Sequence, residues 1–151
     1  MPEKEYWITE GWGKAYADMP ATPLWEFGYG LSYTKFEYSN LKISPSETGT
    51  HGEINVSIDV KNTGNRDGKE VVQLYIRDLI ATVTVPVREL KGFYKVPLKA
   101  GEQKTVKFKL NHDDLSLYNK YMDRVVEPGT FKVMVGSSSQ DIRAEGKFEI
   151  K

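Results

Sequence analysis

From Thr34 to the end of the chain, apolar and polar residues alternate in short runs. Ile54, Val56, Ile58 and Val60 alternate with Asn55, Ser57 and Asp59; Val72, Leu74 and Ile76 alternate with Gln73, Tyr75 and Arg77. The same period recurs at Val106, Phe108 and Leu110, and at Phe131, Val133 and Val135. A period of two sends successive side chains to opposite faces, so each run predicts a strand with one buried and one wet face. Between the runs stand SETGTHGE, NTGNRDGKE, KAGEQ, EPGT and SSSQD, whose Gly, Asn, Asp and Ser tolerate the backbone angles of chain reversals. Strands are predicted near 34–43, 53–62, 70–78, 86–97, 103–110, 130–137 and 143–150, the fourth reading either as one strand or as two meeting at Gly92. The single helical candidate is HDDLSLYN, one turn capped by Asn111 with Asp113 and Asp114 at its start.

About seven strands without βαβ alternation predict an all-β fold, an immunoglobulin-like or fibronectin type III-like sandwich of antiparallel strands spanning 34–151. Residues 1–33 differ in kind. They contain Trp7, Trp12, Tyr16, Trp25, Phe27, Tyr29 and Tyr33, with all 3 Trp of the chain, yet follow neither a strand nor a helix period. A segment so rich in rings and so poor in pattern cannot enclose its own core, and the expectation is an irregular aromatic arm that packs on another surface. Gly28 and Gly30 suit a backbone that runs close to that surface or turns through positive φ.

Composition narrows the function. Lys plus Arg and Asp plus Glu number 21 each, so no net field draws the chain to nucleic acid. With 0 Cys, disulfides, thiolate nucleophiles and Cys-ligated metals are excluded. No apolar run reaches the ~20 residues of a membrane span, and the N-terminus MPEKEYWITEGW has no signal-peptide core.

Candidate chemistry resolves into turns. Asp113 and Asp114 are neighbours that suit a helix start better than paired acid–base work. His51 and His112 lie in separate turns without metal-ligand spacing and read as solvated loop histidines. NRDGKE lacks the later ligands of a calcium loop and sits where a hairpin must reverse. Ser137, Ser138 and Ser139 have no x-Ser-x-Gly elbow, and Gly28-x-Gly30 lacks the third glycine of a dinucleotide loop. Asn55-Val-Ser57 matches a glycosylation acceptor but falls mid-strand. No catalytic, cofactor-binding or metal-binding residue is predicted.

Three features go beyond a generic sandwich: the aromatic arm, the Lys61-Asn62-Thr63-Gly64 turn leading to VVQLY, and ELKGF. The blocks PLWEFGYGLSYTKFEYSNLKIS, VKNTGNRDGKEVVQLYIRD, PVRELKGFYKVPLKAGEQKTVKFKL and VEPGTFKVMVGSSSQDIR resemble, in order, the C-terminal fibronectin type III-like domain of glycoside hydrolase family 3, typified by β-glucosidases. The resemblance covers the chain from Pro23 onward, and residues 1–22 look like the polypeptide leading out of the preceding catalytic domain. Members of that family are retaining glycosidases with two catalytic carboxylates. This chain has no Ser-Asp dipeptide and no Lys-His pair, so neither carboxylate maps onto any position here.

The resemblance implies a non-catalytic accessory domain whose partners are the catalytic domains of the same parent, in the periplasm or outside the cell. Trp7, Trp12, Tyr16, Trp25, Phe27, Gly28, Tyr29, Gly30 and Tyr33 are then interdomain packing residues. The alternative is a carbohydrate-binding or adhesion module, with rings stacking on a β-glucan or oligosaccharide partner.

Overall fold

In the computed structural model, residues 22–151 are described. Trp7, Trp12 and Tyr16 lie outside that range. Residues 22–35 contain no strand or helix. Ten strands follow: β1 (Phe36–Ser44), β2 (Glu47–Thr48), β3 (Ile54–Asn62), β4 (Gly68–Asp78), β5 (Glu89–Leu98), β6 (Gln103–Leu110), β7 (Leu117–Tyr118), β8 (Arg124–Val125), β9 (Gly129–Gly136) and β10 (Ile142–Ile150). The helical turn α1 covers His112–Leu115 between β6 and β7.

The strands form a three-stranded sheet in the order β1-β3-β6 and a five-stranded sheet in the order β2-β10-β9-β4-β5. All long pairings are antiparallel; the two-residue strand β2 joins β10 in parallel. Strands β7 and β8 make a small separate hairpin.

The two-residue period becomes the core. Ile54, Val56, Ile58 and Val60 of β3 have no exposed surface, and they face Val72, Leu74 and Ile76 of β4 and Phe131, Val133 and Val135 of β9 in one cluster. Phe131 and Phe148 stack across β9 and β10 with centroids 5.4 Å apart. Full burial of such a side chain contributes roughly 1.5–3 kcal/mol, so this inner layer dominates the stabilising side of folding.

Several local expectations acquire their geometry here. Asn111 accepts from the amides of Asp113 (2.8 Å) and Asp114 (3.2 Å), and Asp114 Oδ2 accepts from the Asn111 amide (2.9 Å), a capping box. The helix ends at Leu115, which enters the core. Strand β5 is continuous through Gly92. The irregularity is a bulge: Gly92 pairs with Leu74 and Leu90 with Tyr75, which leaves Lys91 as the extra residue. A side chain at Gly92 would crowd Phe108, 3.2 Å from the position of a Cβ.

His51 and His112 are not independent solvated histidines. Their rings stack at 4.9 Å, and His112 Nδ1 lies 2.9 Å from Thr50 O, because the β2–β3 loop lies beside the start of α1.

The NTG turn is built on Asn62, which has no exposed surface. Its Nδ2 donates to Arg66 O (2.7 Å) and Leu98 O (3.2 Å), while Oδ1 accepts from Thr34 Oγ1 (2.7 Å) and the Gly64 amide (3.1 Å). Asp67 Oδ1 accepts from the Ala100 amide at 3.0 Å, so this acid fastens two loops to each other.

Candidate functional site

The aromatic segment lies at one end of the five-stranded sheet, beside the β9–β10 turn. Its backbone is bonded to the sandwich. The Ser139 amide donates to Phe27 O at 2.9 Å, Gln73 Nε2 donates to Gly28 O at 3.0 Å, and Ser138 Oγ donates to Glu26 Oε1 at 3.0 Å. A turn closes within the segment, with the Tyr29 amide donating to Glu26 O at 3.1 Å.

Its rings point away from these bonds. Trp25 is 61% exposed, Phe27 66%, Tyr29 42% and Tyr33 94%, and the neighbouring Leu24 and Leu31 are equally open. Trp25 and Tyr29 stack face to face, centroids 4.8 Å apart and planes 26° from parallel. Each ring covers a face of the other, so the pair forms a block and not a flat double platform.

Gly28 meets both requirements that favour glycine. Its φ is +80°, and a Cβ would overlap the Gln73 side-chain amide. Gly30 has open space around it, so no contact within the domain demands a glycine there.

Between the segment and the outer face of β4 and β5 runs a groove of about 350 Å3. Phe27, Tyr29 and Leu31 line one side, Val71, Leu90 and Phe93 the other, with Lys69 among its lining residues. Phe93 stands opposite Gln73 in the β4–β5 register and is itself largely exposed.

Sequence alternation did not single out Gln73 and Tyr75. Both sit at the polar positions of β4, which predict a wet face, yet both are buried. Tyr75 Oη donates to Gln73 Oε1, and burial pushes the Tyr75 phenol up, an effect Arg88 opposes. Arg88 donates to Ser139 O, which braces the turn that holds Phe27. The available signal was an aromatic on a supposedly wet face, opposite a glycine-rich segment in need of a surface.

Among the described residues the most strongly buried carboxyl is Glu70, held up in pKa by burial and accepting from Tyr38 Oη at 2.7 Å. It bonds to the Tyr38 phenol, and more distantly the Arg143 guanidinium lowers its pKa while the Asp141 carboxylate raises it. Among the described residues no group of three or more His, Cys, Asp or Glu is placed to hold a metal ion. No described helix is long and apolar enough to cross a membrane.

A sandwich with this strand order, sheet division and core is an all-β fibronectin type III-like domain, and residues 70–139 match the family described as fibronectin type III-like domain. More particularly, the chain is homologous to a portion of glycoside hydrolase family 3 β-glucosidases and β-xylosidases. It is 42% identical over 135 residues to the periplasmic beta-glucosidase of Salmonella typhimurium, covering 89% of this chain and 18% of that protein. It is 46% identical over 138 residues to a beta-xylosidase of Formosa agariphila, covering 91% and 19%. Among solved structures, the beta-glucosidase from Listeria innocua in complex with glucose superposes with a TM-score of 0.84 at 40% identity, covering 93% of this chain and 19% of that one. The chain thus spans about one fifth of the length of the relatives it matches.

Proposed function

We propose that this chain is the non-catalytic accessory domain of a larger retaining β-glycosidase of the β-glucosidase type, and that it stabilises the catalytic domains of that parent by packing against them. The observation that carries the reading is the division of labour at Glu26–Tyr29: the backbone is bonded to the sandwich, while Trp25, Phe27 and Tyr29 stand exposed beside an apolar groove. A set of rings that open to water marks a surface made for a partner. The relatives are about five times longer than the matched portion, so a partner within the same parent chain is available. Residues 1–33 are the arm that reaches it and 34–151 the sandwich. Trp7, Trp12, Tyr16, Trp25, Phe27, Tyr29 and Tyr33 supply the buried area, with Gly28 and Gly30 shaping the backbone. The parent acts on terminal β-D-glucosyl residues in the periplasm or outside the cell, and its two catalytic carboxylates lie outside this chain. Because this portion is shared by relatives named for glucosides and for xylosides, the choice of sugar is assigned to the rest of the parent.

The expected outcome is no release of the aryl group when the pure chain is incubated with an aryl β-glucoside; sustained turnover would overturn the accessory reading. Affinity electrophoresis against soluble β-glucans separates it from a carbohydrate-binding module. The face-to-face stack of Trp25 on Tyr29 favours no retardation, since a sugar platform needs rings lying side by side.

A further inference from the structure

The segment with the exposed rings has no regular structure, yet three successive residues are tied down at Glu26, Phe27 and Gly28. Gln73 makes the tie at Gly28 and also bonds Ser137 in the turn whose Ser138 and Ser139 make the other two. It is 3% exposed. Its Nε2 donates to Gly28 O and Ser137 O, and its Oε1 accepts from Tyr75 Oη. Both amide hydrogens and the oxygen are thereby engaged, and the opposite amide orientation would set its oxygen against two carbonyl oxygens. The bonds join residues 45 and 64 positions apart, so local propensity plays no part in them. Gly28 fits the same geometry from the other side, since only a residue without Cβ clears the Gln73 amide at φ +80°.

We propose that Gln73 is a positioning residue: it holds Glu26–Tyr29 in the conformation that turns Trp25, Phe27 and Tyr29 outward, so the docking surface is formed before its partner arrives. The proposal rests on the interdomain reading of those rings and adds to it. Ordering a flexible segment opposes association; here that ordering is supplied within the sandwich. The catalytic domains of the same parent then meet a preformed, mostly apolar groove lined by Phe27, Tyr29, Leu31, Val71, Leu90 and Phe93.

Amide hydrogen exchange on the isotope-labelled 151-residue chain tests this. The Ser139 and Tyr29 amides, which donate to Phe27 O and Glu26 O, are expected to be protected in the unaltered chain. Gln73→Leu removes both donors and the acceptor, and should speed exchange at these two amides about tenfold or more while amides of β3 and β9 stay unchanged. Gly28→Ala breaks the latch from the segment's side without altering any core side chain, and serves if Gln73→Leu does not fold. Unprotected Ser139 and Tyr29 amides in the unaltered chain would overturn the proposal. So would a Gly28→Ala chain in which both remain as protected as before, or equal acceleration throughout β3 and β9, which would make Gln73 a core-stabilising residue only. Failure of the interdomain reading is distinguishable: retardation by β-glucan would sink that reading and leave the protection pattern untouched.

Discussion

Asn62 illustrates how one buried polar side chain can set a whole end of the sandwich. Two of its side-chain bonds close the turn that follows it, to Gly64 and Arg66, and two reach Thr34 and the end of β5 at Leu98. Asn62→Ala would leave two carbonyls, an amide and a hydroxyl short of partners, the Leu98 carbonyl in a fully buried place and the others in partly buried ones. The expected cost is about 2–4 kcal/mol in urea unfolding, since each stranded buried group costs about 1–3 kcal/mol and partial relaxation recovers some of it. A loss under about 1 kcal/mol would mean that water enters and replaces the amide. The NTG turn was legible in the sequence because Asn and Gly at a strand end signal reversal. The burial of Asn62 was not, since it depends on partners 28 and 36 residues away, at Thr34 and at the end of β5. Gln73 escaped for a related reason. Alternation assigns a polar residue to the wet side of its strand, and only the irregular segment lying across that side makes it buried. The rings of that segment were legible from composition alone, while the latch beneath them depended on tertiary placement.

Among the elements, strands long enough to show several periods were placed within a few residues: β3 and β6 run 54–62 and 103–110 against expected 53–62 and 103–110. Strands β2, β7 and β8 are two residues each, too short for any period, and were invisible to it. Long-range fastening between elements was equally hidden. Tyr38 of β1 donates to Glu70 of β4, with the Arg143 guanidinium of β10 5.8 Å from the Tyr38 ring. Burial raises the Glu70 pKa above its ordinary 4.5, although the Tyr38 bond and Arg143 act the other way. The folded chain therefore holds this proton more tightly than the unfolded one. Its contribution to stability is complete below about pH 4.5 and is lost as pH rises through the raised folded value. Glu70→Gln keeps an acceptor for Tyr38 and removes the titration. Unfolding free energies across pH 4 to 8 should show wild type losing ground to this variant as pH rises, and the reverse trend would contradict the burial argument.

Asp141, in the β9–β10 turn, behaves oppositely. The Arg143 hydrogen bond, aided by Ser137, holds its carboxyl below the ordinary 3.8. Its contribution is present above pH 3.8 and lost as pH falls through the lowered value. Asp141→Asn should thus cost stability at neutral pH, modestly because the side chain is substantially exposed, with the gap to wild type closing in acid.

At the scale of the whole molecule, the two outer faces of the sandwich are unlike. The three-stranded sheet turns Asn55, Ser57 and Asp59 of β3 outward beside Lys109, Lys107 and Thr105 of β6, a polar surface suited to water. The outer face of β4 and β5 instead offers Val71, Leu90 and Phe93 beside the ring-bearing segment. If that apolar side exists for a partner, its rings should matter little to the chain alone and a great deal to a longer parent. Trp25→Ser combined with Phe27→Ser should shift unfolding of the isolated chain by no more than about 0.5 kcal/mol, because both rings are mostly exposed and anchor no part of the core. In a parent carrying the catalytic domains, each ring buried at the interface contributes roughly 2–3 kcal/mol. The same double variant should therefore lower the parent's melting temperature or yield, with a smaller effect on substrate affinity. Equal, small effects in both contexts would remove the interface. Weakened binding to insoluble polysaccharide at unchanged melting would turn the rings into a sugar-binding surface, a result that the stacked geometry of Trp25 on Tyr29 argues against.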